Sequence, residues 1–288
     1  MLIEEACVGC IINQSLRVAH AINASKSLTD ELTSSVELMS QSFSFSCTPP
    51  EIASDVYAKM AKIANKIDLY DEVKELSTAK ALSFVPLLEE KIRLSKDKLL
   101  TATKIAVAGN VIDLAAEVEF DLQEELEKIF HTEFAHNDFS KLQHALLHAN
   151  SVLVIGDNVG EHIFDYMFVA TLTELFAHAK FYYMVRGTPI INDVTMKEAL
   201  SAGFDTLCTL VDSGVNTPGF MYSRATPHAK DLFDSADVVI SKGMGNYECL
   251  TPSHRNNIFF LLKVKCQVVA NSLCKEVGDI ICKKSEEI

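Results

Sequence analysis

No stretch of about eighteen uncharged apolar residues occurs in this 288-residue chain, so nothing in it reads as a transmembrane helix. The longest apolar candidates are interrupted by Asp165 and Glu174, and by Lys263 and Lys265. Positive charge is scarce. The 26 Lys and Arg stand against 39 Asp and Glu, a net charge of −13, and no polybasic cluster is visible. Clustered cations are what phosphate backbones and anionic membrane surfaces require, so nucleic-acid and membrane partners are both disfavoured. The opening Met-Leu-Ile-Glu-Glu puts acids where a signal peptide carries Lys or Arg, which predicts a cytoplasmic protein. In such a compartment most of the eight cysteines are expected to be buried thiols.

What is present is enough apolar material for a real core. Hydrophobic residues are 48% and charged residues 23%, which disfavours disorder and gives one large domain, or one with a smaller companion. Up to about residue 150 the texture is helical. Ile52, Val56, Met60 and Ile63 fall on one helical face just after Pro49 and Pro50. Val73, Leu76 and Ala79 suggest another helix, which Pro86 should end or kink. Beyond Asn150 the texture changes to short apolar runs: Val152–Ile155, Phe181–Val185, Leu207–Val211 and Val238–Ile240, with helical stretches between them. That alternation predicts an α/β fold, with a helical N-terminal region packed on a mostly parallel sheet.

In an open parallel sheet, ligands sit beyond the carboxyl ends of the strands. The four exits read Gly156-Asp157-Asn158-Val159-Gly160-Glu161, Arg186 to Asp193, Asp212 to Gly219, and Ser241-Lys242-Gly243-Met244-Gly245-Asn246-Tyr247-Glu248. A dinucleotide site wants Gly-x-Gly-x-x-Gly after the first strand and an acid ending the second, whereas here Gly156 and Gly160 are four apart and the second strand ends in Arg186. No Walker loop occurs either.

Asp157, Asn158 and Asp193 offer hard oxygen donors suited to Mg²⁺ or Mn²⁺, although Asp157 and Asn158 would serve equally to cap the following helix. Lys242 lies in a glycine-rich segment whose amides and ammonium could hold a phosphate, or it is an ordinary solvated lysine on a turn. Arg186 is a second phosphate clamp or the partner of a surface acid. Cys7 and Cys10, three apart on a helix, read as two buried thiols or as a redox or metal-holding pair. Of nine histidines, only His162, beside Glu161, stands near these loops.

Five motifs then occur in order: Gly109-Asn110-x-Ile112-Asp113, Gly156-Asp157-Asn158-x-Gly160-Glu161, Arg186-x-x-Pro189-x-x-Asn192-Asp193-x-Thr195, Ser241-Lys242-Gly243-x-Gly245-Asn246-Tyr247-Glu248 and Leu262-Lys263-x-Lys265-Cys266. With the early Cys7-x-x-Cys10 they resemble the damage-control phosphatase family, more narrowly its compact prokaryotic-type subfamily. The resemblance implies a helical N-terminal subdomain over residues 1–100 and an α/β/α metal-binding domain over 101–288. It implies a metal-dependent phosphatase for small phosphorylated metabolites, such as sugar phosphates or phosphopantetheine-like esters, working with Mn²⁺, Mg²⁺, Co²⁺ or Ni²⁺. Carried over by position, Asp157, Asn158 and Asp193 hold the metal, Lys242 faces the phosphate, and Asn246 and Asn110 line the pocket. Glu161 is expected to orient a ligand or water. Water is the favoured nucleophile, because Val159 stands where an aspartyl-phosphate enzyme carries its second carboxylate. The alternatives are a non-catalytic metal- or metabolite-binding protein and, less favoured, a carboxyl methyltransferase, for which no glycine-rich methyl-donor loop is visible.

Overall fold

The computed structural model describes residues 1–111, 122–253 and 255–286, with the side chains of residues 110, 111 and 122–126 left out. Five helices come first: α1 (Glu5–Ala21), α2 (Lys26–Ser40), α3 (Pro49–Ala64), α4 (Asp71–Leu94) and α5 (Lys98–Val111). Then follow α6 (Leu122–His131), β1 (His136–Asn137), α7 (Phe139–His148), β2 (Ser151–Ile155), α8 (Glu161–Leu175), β3 (Lys180–Val185), α9 (Met196–Ser201) and β4 (Thr209–Asp212). The chain ends with α10 (Pro227–Ser235), β5 (Val238–Lys242), α11 (Gly243–Leu250), β6 (Ile258–Lys263), α12 (Gln267–Leu273) and β7 (Ile280–Lys284).

The start of α3 is written in local chemistry. Prolines occupy its first two positions, and Thr48 with Glu51 forms a reciprocal capping box. Its apolar face joins those of α1 and α2 in a core of Val18, Leu32, Val36, Val56 and Met60. Pro86 does not end α4, which runs on from Asp71 to Leu94. Leu88, two residues past the proline, is buried in a cluster with Ile105 of α5 and Phe164 of α8, and that packing offsets the missing backbone bond.

The strands form one sheet in the order β1-β7-β6-β5-β2-β3-β4, parallel throughout except where β7 runs against β6. This is the expected mixed α/β architecture with a mostly parallel sheet. It carries three strands more than the four expected from the apolar runs. Along β2 the side chains alternate. Val152 and Val154 enter the core shared with α5, α7 and α8, whereas Leu153 and Ile155 enter the one shared with α10, α11 and α12. A strand buried on both faces is apolar on both, as β2 is from Val152 to Ile155.

The expectation of mostly buried cysteines is overturned. Only Cys282 is buried, five are half-buried, and Cys10 and Cys274 are exposed. Most of these cysteines lie on helix faces and in loops rather than in strands, where small apolar side chains become enclosed. No helix among the described residues is long and apolar enough to cross a membrane.

Candidate functional site

From β2 the chain moves outward through β3 to β4, then returns to place β5 on the other side of β2. That reversal opens a crevice beyond the carboxyl ends of β2 and β5, the usual ligand position in such sheets. Asp157 follows β2 there, and Gly243 opens α11 directly after β5. Gly243 has φ +75°, and a Cβ on it would lie 1.8 Å from Asp157 Oδ2. Only glycine permits this approach, which sets the carboxylate against the positive end of α11. On the far side, Gly109 of α5 lets that helix close on α8, since a Cβ there would come within 3.1 Å of the Glu161 backbone.

Backbone pairing brings the second acid in. Val194 donates to the Asp157 carbonyl (2.8 Å) and Val159 to that of Asn192 (2.7 Å), so Asn158 and Asp193 lie opposite one another. Arg186 spans both acids: its Nε donates to Asp193 Oδ2 at 2.7 Å, and Nη2 stands 3.8 Å from Asp157 Oδ1. The guanidinium is only 1% exposed, and Nη1 and Nη2 have no hydrogen-bond acceptor among the described residues. Asn158 donates from Nδ2 to Asp157 Oδ2 (3.1 Å) and Glu161 Oε1 (3.0 Å), which leaves its carbonyl oxygen for something else. Glu161 is the first residue of α8.

The electrostatics are unbalanced. Burial, then Glu161 and Asp193, push the Asp157 carboxyl well above the ordinary range, and Arg186 and Lys265 only partly offset this. Burial pushes Asp193 up to about 6, against the pull of Arg186. Two carboxylates whose ionisation is opposed first by burial and then by Glu161 are the environment that a hard divalent cation would relieve. No three His, Cys, Asp or Glu side chains converge as a ready-made metal cluster among the described residues. The donors are two carboxylates and an amide oxygen, a set that fits Mg²⁺ or Mn²⁺ if water or substrate completes the shell.

Two expected substrate contacts are corrected by the packing. Asn246 is fully buried and spends both ends of its amide on the fold. Nδ2 donates to the Gly156 and Lys242 carbonyls, and Oδ1 accepts from Phe220 N–H at 2.7 Å. It ties two strand ends and the 217–220 loop together instead of lining the pocket. Lys242 is neither solvated nor open to the cleft. It is fully buried and ion-paired with Asp165 of α8, which also accepts from Tyr183 Oη at 3.0 Å. Burial alone would depress the lysine, yet Asp165, then Glu161, hold it protonated. Asp165 was missed because on the sequence it is only a charge interrupting an apolar helix. Asn110 lies in the last turn of α5, but its side chain, like Ile112 and Asp113, lies outside the described residues.

The cleft itself has two adjoining lobes, of about 480 and about 590 Å³. The smaller contains Asp157 and Asp193 together with Cys7, Cys10 and Cys266; the larger reaches Tyr70 and Glu161. Cations that line both lobes are Arg17 of α1 and Lys265, just past β6, neither singled out from sequence as a ligand contact. His162 faces away from this chemistry. Its Nδ1 accepts from Gly160 N–H (3.0 Å), and burial pushes the ring down to about 4.

Across 3–281, this chain matches the sequence profile of the damage-control phosphatase ARMT1-like domain. It belongs to that family. A damage-control phosphatase from Pyrococcus horikoshii is 28% identical over 99% of both chains, and one from Archaeoglobus fulgidus is 26% identical over 99% of this chain and 100% of that one. A crystal structure of a DUF89 family protein from Pyrococcus horikoshii superposes with a TM-score of 0.91 at 28% identity, covering 99% of this chain and 100% of that one. The likeness therefore spans both the helical N-terminal region and the sheet. Membership in this damage-control phosphatase family gives the chain a phosphatase role toward small phosphorylated metabolites.

Proposed function

We propose that this damage-control phosphatase family member hydrolyses small phosphomonoesters, sugar phosphates or phosphopantetheine-like esters, with a divalent ion held by Asp157, Asn158 and Asp193. The observation that carries the reading is the pairing of two buried carboxylates at the crevice between β2 and β5, bridged by one guanidinium whose two terminal nitrogens have no hydrogen-bond acceptor among the described residues. Bound there, a divalent ion supplies Lewis acidity to a phosphoryl oxygen and lowers the pKa of a water.

The protein's own groups do the rest. Glu161 accepts from the Asn158 amide and so fixes the orientation of that side chain beside Asp157. Arg186 fixes Asp193 and holds its positive charge beside both carboxylates, which favours an anionic phosphate next to them. Lys265, whose charge already acts on Asp157, faces the ester phosphate from the cleft wall. Lys242 acts from below, adding positive potential beneath the reacting centre rather than a direct contact. The reading is tested with p-nitrophenyl phosphate and added Mn²⁺, Mg²⁺, Co²⁺ or Ni²⁺. Turnover is expected with at least one ion, and Asp157→Ala and Asp193→Ala are expected to lower kcat by about 10³ or more while remaining folded. Unchanged rates in both variants would overturn the assignment.

A further inference from the structure

Besides Asp157 and Asp193, Glu248 is the one acid among the described residues that lines the smaller lobe of the cleft. It comes from α11. Met244, Gly245 and Glu248 share one face of that helix and all line the lobe, whereas Asn246, Tyr247 and Leu250 are buried on the other side. Gly243, which approaches Asp157, stands five residues earlier, about 7.5 Å back along the helix axis. Among the described residues Glu248 does not converge with Asp157 and Asp193 into one metal-holding cluster. It faces the same space, of about 480 Å³, from beside the proposed ion.

The fold leaves this carboxyl unengaged. It accepts no hydrogen bond and forms no ion pair among the described residues, whereas Glu161 accepts from Asn158, and Arg186 serves Asp157 and Asp193. Burial in the lobe pushes Glu248 up to about 7, against the pull of the Met1 amine. That amine donates to the backbone carbonyls of Glu248 and Thr251. The other titratable groups around it are Cys7 and Cys10 from α1, Cys249 on α11, and Lys265 and Cys266 beyond β6. A carboxyl of this kind is protonated in good part at neutral pH and still able to release the proton. Cys7 and Cys266, both pushed up by burial, are poorer donors.

We propose that Glu248 is the general acid of the reaction, giving its proton to the ester oxygen of the substrate as the phosphorus–oxygen bond breaks. This rests on the phosphatase reading above and deepens it. Water adds its oxygen to phosphorus and releases one proton to solvent. The electron pair of the breaking bond stays on the ester oxygen, which takes the Glu248 proton and leaves as an alcohol. Solvent then returns a proton to Glu248, and no atom is oxidised or reduced. The other candidates are placed elsewhere. Glu161 lines the larger lobe and holds Asn158, Lys242 is buried against Asp165, and His162 faces away from the cleft.

The need for an acid grows with the basicity of the leaving oxygen. p-Nitrophenolate departs readily without a proton, whereas the alkoxide of benzyl phosphate, an ester of similar size, does not. With the divalent ion that supports turnover, Glu248→Gln is expected to lower kcat on benzyl phosphate by about 10² but on p-nitrophenyl phosphate by only about fivefold or less. Because no partner bonds to the carboxyl, the variant should unfold near the wild-type Tm. If it does not fold, Glu248→Asp decides: a loss about tenfold larger on benzyl phosphate supports the general acid, and equal losses overturn it. For Glu248→Gln, equal losses on the two esters, or no loss on either, overturn the general acid and leave the phosphatase reading standing. A wild type that turns over p-nitrophenyl phosphate alone supplies no proton, and overturns it too. If neither ester is hydrolysed, the phosphatase reading falls and the general acid falls with it.

Discussion

Asp157 carries a charge that its surroundings oppose, and function and stability pull in opposite directions there. Its neighbours Glu161 and Asp193 raise the cost of ionising it in the buried crevice. Asp157→Asn removes one of the repelling charges and keeps an oxygen for the Asn158 amide. The metal-free variant is expected to be more stable than the wild type by about 1 kcal/mol in urea unfolding, while losing turnover. A fall in stability would show that the carboxylate is already neutralised by the fold. His162 makes a separate prediction. Its folded pKa is depressed from 6.5 to about 4, so above pH 6.5 both states are neutral and nothing is lost. As pH falls below that, the unfolded chain takes up a proton that the native ring refuses, and stability declines until about pH 4. At pH 5 this amounts to about 2 kcal/mol. Urea unfolding at pH 7.5 and pH 5 should therefore show the wild type losing about 2 kcal/mol more than His162→Asn, whose amide oxygen can still accept from Gly160.

At the scale of elements, the crevice is built by loops that hold one another. The β2 and β3 exits are laced by two backbone bonds, and the β5 exit is tied to both β2 and the 217–220 loop by Asn246. Truncating that side chain strands a buried amide N–H and two carbonyls. Asn246→Ala is expected to cost about 2–4 kcal/mol and to lower kcat, since Gly243 and the Asp157 carboxylate move together. If thermal unfolding is unchanged, water must replace all three bonds. The motif Ser241-Lys242-Gly243-x-Gly245-Asn246 was legible as a site segment, but its roles were not. On a string, a lysine and an asparagine near glycines look like ligand groups, whereas in the fold both face inward at the end of a strand buried on two sides. The missing strands have a related reason. Ile258–Lys263 is apolar without alternation, and β7 and the two-residue β1 become strands through their neighbours rather than through their own residues.

For the whole molecule, helices α1 and α3 form one wall of the cleft and the loops beyond the strand ends form the other. A ligand bound between them must stabilise the assembled state. Mn²⁺ or Mg²⁺ at a hundred times its Kd should add about 2.7 kcal/mol to unfolding, read as a raised Tm that Asp157→Asn abolishes. An unmoved Tm with every divalent ion tried would count against a metal at Asp157, Asn158 and Asp193.

Some of this was decided by the linear order of residues. The switch from helical spacing to fully apolar runs specified an α/β chain, because period is a local property of the backbone. Pro49, Pro50, Thr48 and Glu51 specified the start of α3 for the same reason. Placement of Asp157 with Asn158 and Glu161 was local too, at the turn between β2 and α8. Tertiary structure alone decided which cation meets which acid. Arg186 went to Asp193, Lys242 to Asp165, and Arg17 and Lys265 were left facing the cleft. Those choices depend on burial and on approach across the sheet, and side chains of equal charge are indistinguishable until the fold gives some of them water and others a partner.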